Sequence, residues 1–145
     1  VFLGIYTNKL DKKARISLPA AFRTQIQSEF VIALSHNQPC LEGCSLERMQ
    51  KITHQIDRKN IFSQEHQSLA LTIFANAEIV CCDQDGRFVL NKDFCKKTHL
   101  ELDSHIICVG VGATFQIWNS EYFQQAKEAA ATNLKNTNPT LFIND

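Results

Sequence analysis

The chain has 145 residues, 44% hydrophobic and 21% charged, with 15 basic residues against 15 acidic ones. That length supports one well-buried core, or two half-sized units sharing one. The composition is ordinary for a globular protein, no apolar run approaches the 18 residues of a membrane helix, and a formal net charge of zero excludes a chain that is basic throughout.

Residues 1–6 are apolar and strand-like. They lack the basic region, long apolar region and cleavage site of a signal peptide, so the chain is expected to be cytosolic. Asn8 and Lys9 interrupt this strand. Residues 8–23 then form the most basic stretch of the chain. Lys9, Lys12, Lys13, Arg15 and Arg23 face one acid, Asp11, so the stretch carries +4 and the rest of the neutral chain −4. A basic patch of this kind is an electrostatic footprint for nucleic acid if folding or assembly gathers it on one surface. Charge alone equally fits a solvated loop.

From Arg15 to Leu18 polar and apolar residues alternate, which predicts a half-buried strand with Ile16 and Leu18 inward. Pro19 suits the start of a short helix, with Phe22 and Ile26 on one face. Residues 30–34 read as a buried strand, 35–39 as a turn cluster, and 40–44 as a short strand. Ser45 is a candidate N-cap for a helix carrying Leu46, Met49, Ile52 and Ile56. A second helix is predicted over 64–77. Strands follow at 78–82, 87–90, 105–110 and 114–118, with a short helix over 92–97. Asn119 or Ser120 caps a last helix with Tyr122, Phe123, Ala126, Ala130 and Leu134 on its apolar face. The tail after about Asn136 is polar and expected to fray.

The pattern repeats. Residues 83–94 align with 11–22 position for position: Asp83 with Asp11, Arg87 with Arg15, Leu90 with Leu18, Phe94 with Phe22. Residues 115–124 echo 41–50, with Glu121 on Glu47, Phe123 on Met49 and Gln124 on Gln50. Two copies point to a duplicated unit that pairs with itself. No Gly/Ser-rich or Pro-rich linker separates them, so the halves, 1–62 and 63–145, are expected to pack as one pseudo-two-fold body.

No catalytic set converges. The five histidines are scattered, no phosphate-binding glycine loop precedes a helix, and no cofactor or metal is expected. Asp11 and Asp83 are better explained as turn residues, accepting backbone N–H groups and pairing with the arginine four positions on. Six cysteines in a chain without an export signal read as small buried side chains, not disulfides or a zinc site.

Phe2-Leu-Gly4 with the 8–19 motif (Asn8, Leu10, Asp11, Lys13, Arg15, Ile16, Leu18, Pro19), and Asp83, Gly86 and Arg87 with residues 109–118, resemble the MraZ family of bacterial transcriptional regulators. The likeness covers nearly the whole chain. It implies an α+β fold with a duplicated AbrB-like (double-psi or swapped-hairpin) β-barrel core and peripheral helices. It also implies a ring-shaped homo-oligomer that binds short G-rich repeats in double-stranded DNA, upstream of the cell-division and cell-wall gene cluster. Such a protein is cytoplasmic and nucleoid-associated, is not an enzyme, and has no membrane partner. The family's basic contact loop falls on Lys9, Lys12, Lys13 and Arg15, with Arg23 a further DNA-binding candidate. Its Asp-x-x-x-Arg motif falls on Asp11 and Arg15, and on Asp83 and Arg87. Arg15 is assigned to a guanine edge and the lysines to phosphates. Asp11 and Asp83 are assigned structural roles as turn residues, and Arg87 one as well, because the second copy is acidic. Three departures stand out: Ala14 where the family usually has glycine, Asn91 in place of the second proline, and Cys95 where copy one has Arg23. Alanine tolerates positive φ poorly, so an altered first turn is expected. The alternatives are an AbrB-like regulator of another operon, antitoxin-type included, and a ring scaffold whose basic loop meets an acidic protein.

Overall fold

The computed structural model describes residues 1–137. The tail expected to fray lies almost wholly outside the described residues. Six antiparallel strands form one sheet. In spatial order they are β1 (Ile5–Leu10), β7 (Ser104–Gly110), β8 (Phe115–Trp118), β4 (Cys40–Ser45), β3 (Glu29–Leu34) and β5 (Ala77–Cys81). Two three-residue strands, β2 (Arg15–Ser17) and β6 (Arg87–Val89), form a separate antiparallel ribbon. The fold is thus α+β.

The hairpins are exchanged. β1 turns at 11–14 into β2, and β5 turns at 83–86 into β6. Each second strand then ladders with the other hairpin's second strand, while β1 pairs with β7 and β5 with β3. Two matching bonds fasten the ribbon's ends: Leu18 N–H donates to Gly86 O (3.0 Å) and Leu90 N–H to Ala14 O (2.8 Å). The expected closed barrel is not formed by the described strands. β1 and β5 end the sheet on opposite sides, because the chain leaves both edge strands for the ribbon before they can meet.

The ribbon closes over the core with side chains. Ile16 and Phe88 face inward and are buried, as are Leu18, Phe22, Leu90 and Phe94 from the following turns. They meet Phe30, Ile32, Leu41, Ile106, Phe115 and Ile117 from the sheet. The rings of Phe30 and Phe88 meet edge-on at 5.0 Å between centroids. β3 is apolar almost end to end because both its faces are covered. Phe30 and Ile32 enter this core, and Val31 is buried on the opposite face.

Among the described residues five α-helices are peripheral. α1 (Ala20–Arg23) follows Pro19, whose φ of −52° is set by its ring. Its counterpart α4 (Lys92–Lys97) starts at Asn91, whose side chain accepts from Asp93 N and Phe94 N. An N-cap hydrogen bond thus replaces the proline's fixed backbone. Ser45 caps α2 (Leu46–Asp57) by accepting from Arg48 N. Asn119 caps α5 (Ser120–Asn133) by accepting from Glu121 N and Tyr122 N.

Three expectations are corrected. Asn8 and Lys9 continue β1, since the ladder to β7 satisfies their backbone, the half-buried Asn8 amide donates to Ser17 O of β2, and Lys9 faces solvent on an edge strand. The helix predicted over 64–77 is α3 (Gln64–Leu69) running into a π-helical turn, Ala70–Phe74. Ala77 is already in β5 opposite Ala33. The chain leaves the helix by one wide turn, with Ala75 N–H donating to Ala70 O (3.2 Å) and Asn76 Nδ2 to Thr72 O (3.1 Å). On α5 only Tyr122, Phe123 and Ala126 pack against Trp118 and its neighbours, while Ala130 and Leu134 are exposed.

Four cysteines, Cys40, Cys44, Cys95 and Cys108, are buried as small apolar side chains. Burial pushes the Cys40 and Cys108 thiols up to about 12. Cys81 is exposed, on edge strand β5. Native protein treated with iodoacetamide at pH 8 is therefore expected to alkylate first at Cys81, with the four buried thiols reacting only after denaturation. Peptide mass mapping checks this, and early loss of Cys108 would contradict it.

Candidate nucleic-acid interface

The first turn is built around one carboxylate. Asp11 Oδ1 accepts from Lys13 N (2.9 Å) and Arg15 N (2.8 Å), and Oδ2 accepts from Arg15 Nε (2.8 Å). Ala14 N–H donates to Asp11 O (3.1 Å), and Asp11 N–H to Arg15 O (3.0 Å). The Arg15 backbone N–H, then its side chain and the Lys13 N–H, hold the Asp11 carboxyl below the usual range. The loop therefore stays tied at any pH where an ordinary aspartate is ionised.

The second turn repeats this. Asp83 Oδ1 accepts from Asp85 N (2.9 Å) and Arg87 N (3.0 Å), and Oδ2 from Arg87 Nε (3.2 Å). The Asp83 carboxyl is lowered first by the Arg87 backbone N–H. Ala14 sits at φ 61° and Gly86 at φ 73°. Both turns therefore have one geometry, and the alteration expected from Ala14 does not occur. The left-handed backbone costs alanine about 1–2 kcal/mol. Burial of its methyl, fully shielded from solvent, returns about 0.8 kcal/mol.

The ribbon's pleat sends Ile16 and Phe88 inward, so Arg15, Ser17, Arg87 and Val89 face out. Arg15 lies opposite Val89, and Ser17 opposite Arg87. The two turns stand at opposite ends of this outer face. One end holds Lys12, Lys13 and Arg15, and the other Asp83, Asp85 and Arg87. Exposed Asp–Arg pairs contribute little to stability. Their effect is to orient the guanidinium groups. Asp11 engages only Nε of Arg15, and neither Nη group has a partner among the described residues. Arg87 is held twice, at Nε by Asp83 and at Nη2 by Asp85 (both 3.2 Å).

The basic residues are not equivalent. Lys12 and Lys13 are exposed and make no ion pair among the described residues. Lys9 lies on β1 and pairs with Asp103 at 3.2 Å, so part of its charge is already answered. Arg23 does not join them. It is half-buried over the second turn, where a Cβ at Gly86 would come within 2.8 Å of its Nε. That Nε is buried without a hydrogen-bond partner. Sequence reasoning missed Asp103 as partner of Lys9, which only the β1–β7 register reveals. It also missed Val89, 59% exposed on the ribbon face, although the alternation through residues 87–89 carried the signal. Among the described residues no group of three or more His, Cys, Asp or Glu side chains is placed to hold a metal ion. No described helix is long and apolar enough to cross a membrane.

Residues 1–71 match the family model described as "MraZ protein, putative antitoxin-like". The chain is 33% identical over 137 residues to the "Transcriptional regulator MraZ" of Gluconobacter oxydans, covering 90% of this chain and 82% of the relative. It is 33% identical over 139 residues to the protein of the same name from Gluconacetobacter diazotrophicus, covering 91% and 87%. The one from Rickettsia akari is 32% identical over 134 residues, covering 90% and 89%.

Proposed function

The chain belongs to the MraZ family, and on that premise we propose that it is a transcription regulator that grips duplex DNA with the outer face of the β2–β6 ribbon. One observation carries this reading: Arg15 is oriented by Asp11 yet keeps both Nη groups free, on an exposed two-stranded ribbon flanked by Lys12 and Lys13. A two-stranded ribbon fits the major groove. An arginine fork there matches O6 and N7 of guanine, and exposed Val89 beside it suits a thymine methyl. Lys12 and Lys13 neutralise phosphates and set register, with Lys9 a weaker contributor.

On this reading the targets are short repeats upstream of the cell-division and cell-wall genes, and the protein works in the cytoplasm at the nucleoid. One turn per chain binds weakly. A ring of chains on tandem repeats gains avidity without new contacts. Exposed Val1, Leu3, Ile5 and Val111 gather where Phe2 bridges Gly112, and Ile79 lies on edge strand β5. Such surface supports self-association. We also read residues 1–62 and 63–145 as two AbrB-like halves. The matching hydrogen bonds of the two turns support that reading.

The test is a footprint on the DNA upstream of its own coding sequence, with light scattering of the same sample. Protection of spaced repeats by an assembly larger than a dimer is the expected result. A dimer that protects DNA points to another AbrB-like regulator. A large assembly that ignores DNA at low salt points to a scaffold.

A further inference from the structure

The two turns share a backbone but differ in charge: Lys12 of the first corresponds to the neutral Gln84 of the second, and one further position reverses sign. Lys13 of the first turn corresponds to Asp85 of the second. Both sit two residues before the arginine that faces out of the ribbon. In the first turn that position leaves the arginine's Nη groups free. In the second, Asp85 Oδ2 lies 3.2 Å from Arg87 Nη2. Arg87 and Arg15 are otherwise alike, each half-exposed and each tied at Nε by the preceding aspartate.

We infer that Asp85 masks a second DNA-reading arginine, so that each chain engages the duplex through one end of its ribbon. This rests on the proposed DNA-binding role of the ribbon. Two effects of Asp85 act together. It engages Nη2, one of the nitrogens through which a guanine fork binds, and so competes with the base for that nitrogen. It also sets a carboxylate, 74% exposed, where the first turn offers phosphates a lysine, and like charge repels. A ribbon that is cationic at one end and anionic at the other can lie on DNA in only one sense. Asp85 is thus a specificity-determining residue, which fixes orientation and limits each chain to one contact.

Full-length chains with Asp85→Asn, Asp85→Lys, Arg87→Ala and Asp85→Asn/Arg87→Ala test this. The probe is a labelled duplex of the DNA upstream of its own coding sequence, titrated at several salt concentrations beside a scrambled duplex. Asp85→Asn is expected to tighten binding about fivefold. Asp85→Lys should tighten it further and steepen the salt slope by about one. Arg87→Ala alone should stay within about twofold of the natural chain, yet erase the gain when added to Asp85→Asn. Light scattering confirms that the assembly is unchanged. If both Asp85 variants bind as the natural chain does, or if Arg87→Ala weakens binding as much as Arg15→Ala, the inference falls and the DNA-binding reading stands. If the natural chain binds neither duplex at low salt, both fall.

Discussion

Replacing Arg15 with alanine is expected to abolish specific DNA binding while leaving fold and assembly intact. A bidentate arginine–guanine pair supplies about 1–3 kcal/mol of discrimination, or roughly 5- to 150-fold for a single contact. On the proposed ring reading the loss is multiplied, because each chain contributes the same weakened grip. Stability should barely change, since the Arg15–Asp11 pair is exposed and solvent screens such pairs. Arg15→Lys separates charge from geometry. It keeps the cation and loses the fork, so salt dependence should survive while preference for the natural duplex over a scrambled one collapses. A gel shift at fixed salt, with melting and light scattering on the same samples, checks each part. Normal affinity in Arg15→Ala would sink the ribbon reading.

The largest stability effects are expected where β4 meets β8. Gly43 is the register partner of Phe115, and the Phe115 ring lies directly over it. A Cβ at 43 would fall inside the ring's van der Waals envelope, 2.6 Å from Cε1 and nearer to two other ring carbons. The ring cannot step aside. Phe2, Phe22 and Phe30 hold it at centroid distances of 5.1, 5.5 and 6.2 Å. Gly43→Ala should therefore cost about 1–3 kcal/mol through overpacking, and Phe115→Ala about 3–5 kcal/mol through the cavity left behind. Against a total of about 5–15 kcal/mol, the second change leaves little folded margin. Adding Phe115→Leu to Gly43→Ala should recover part of the loss, because the shorter side chain vacates the clash. Urea midpoints of the four chains test this, and an unaltered Gly43→Ala midpoint would contradict the packing described.

The turns and most strands were legible in the sequence because their signals are local. Asp11 and Arg15, or Asp83 and Arg87, specify a turn within five residues, and Ser45 and Asn119 cap helices within three. What failed depends on partners distant in sequence. Nothing near Asn8 and Lys9 announces that β7 will carry them as strand. Nothing in 64–77 announces that Ala77 must reach Ala33, which cuts the helix short. The oddities of Ala14 and Cys95 were visible singly but not as a pair. Each turn lies against the start of the other copy's helix, as the Leu18–Gly86 and Leu90–Ala14 bonds show. Gly86 lies beneath the long side chain of Arg23. In the other half the turn residue has its own Cβ, and the helix position equivalent to Arg23 is the short, buried Cys95.

The exchange of hairpins also governs how the chain comes off the ribosome. β1 finds its neighbour only when residues 104–109 have emerged, β2 waits for 87–89, and Cys40 meets Trp118. The first sixty residues thus leave the exit tunnel with most of their strand edges and the aromatic rings of Phe22 and Phe30 still uncovered. Synthesis is slow beside local folding steps, so this stretch stays open to chaperones, to proteases and to the hairpins of sister chains on the same message. Apart from the local β3–β4 pairing, such a fold closes only after residues 77–118 have been made.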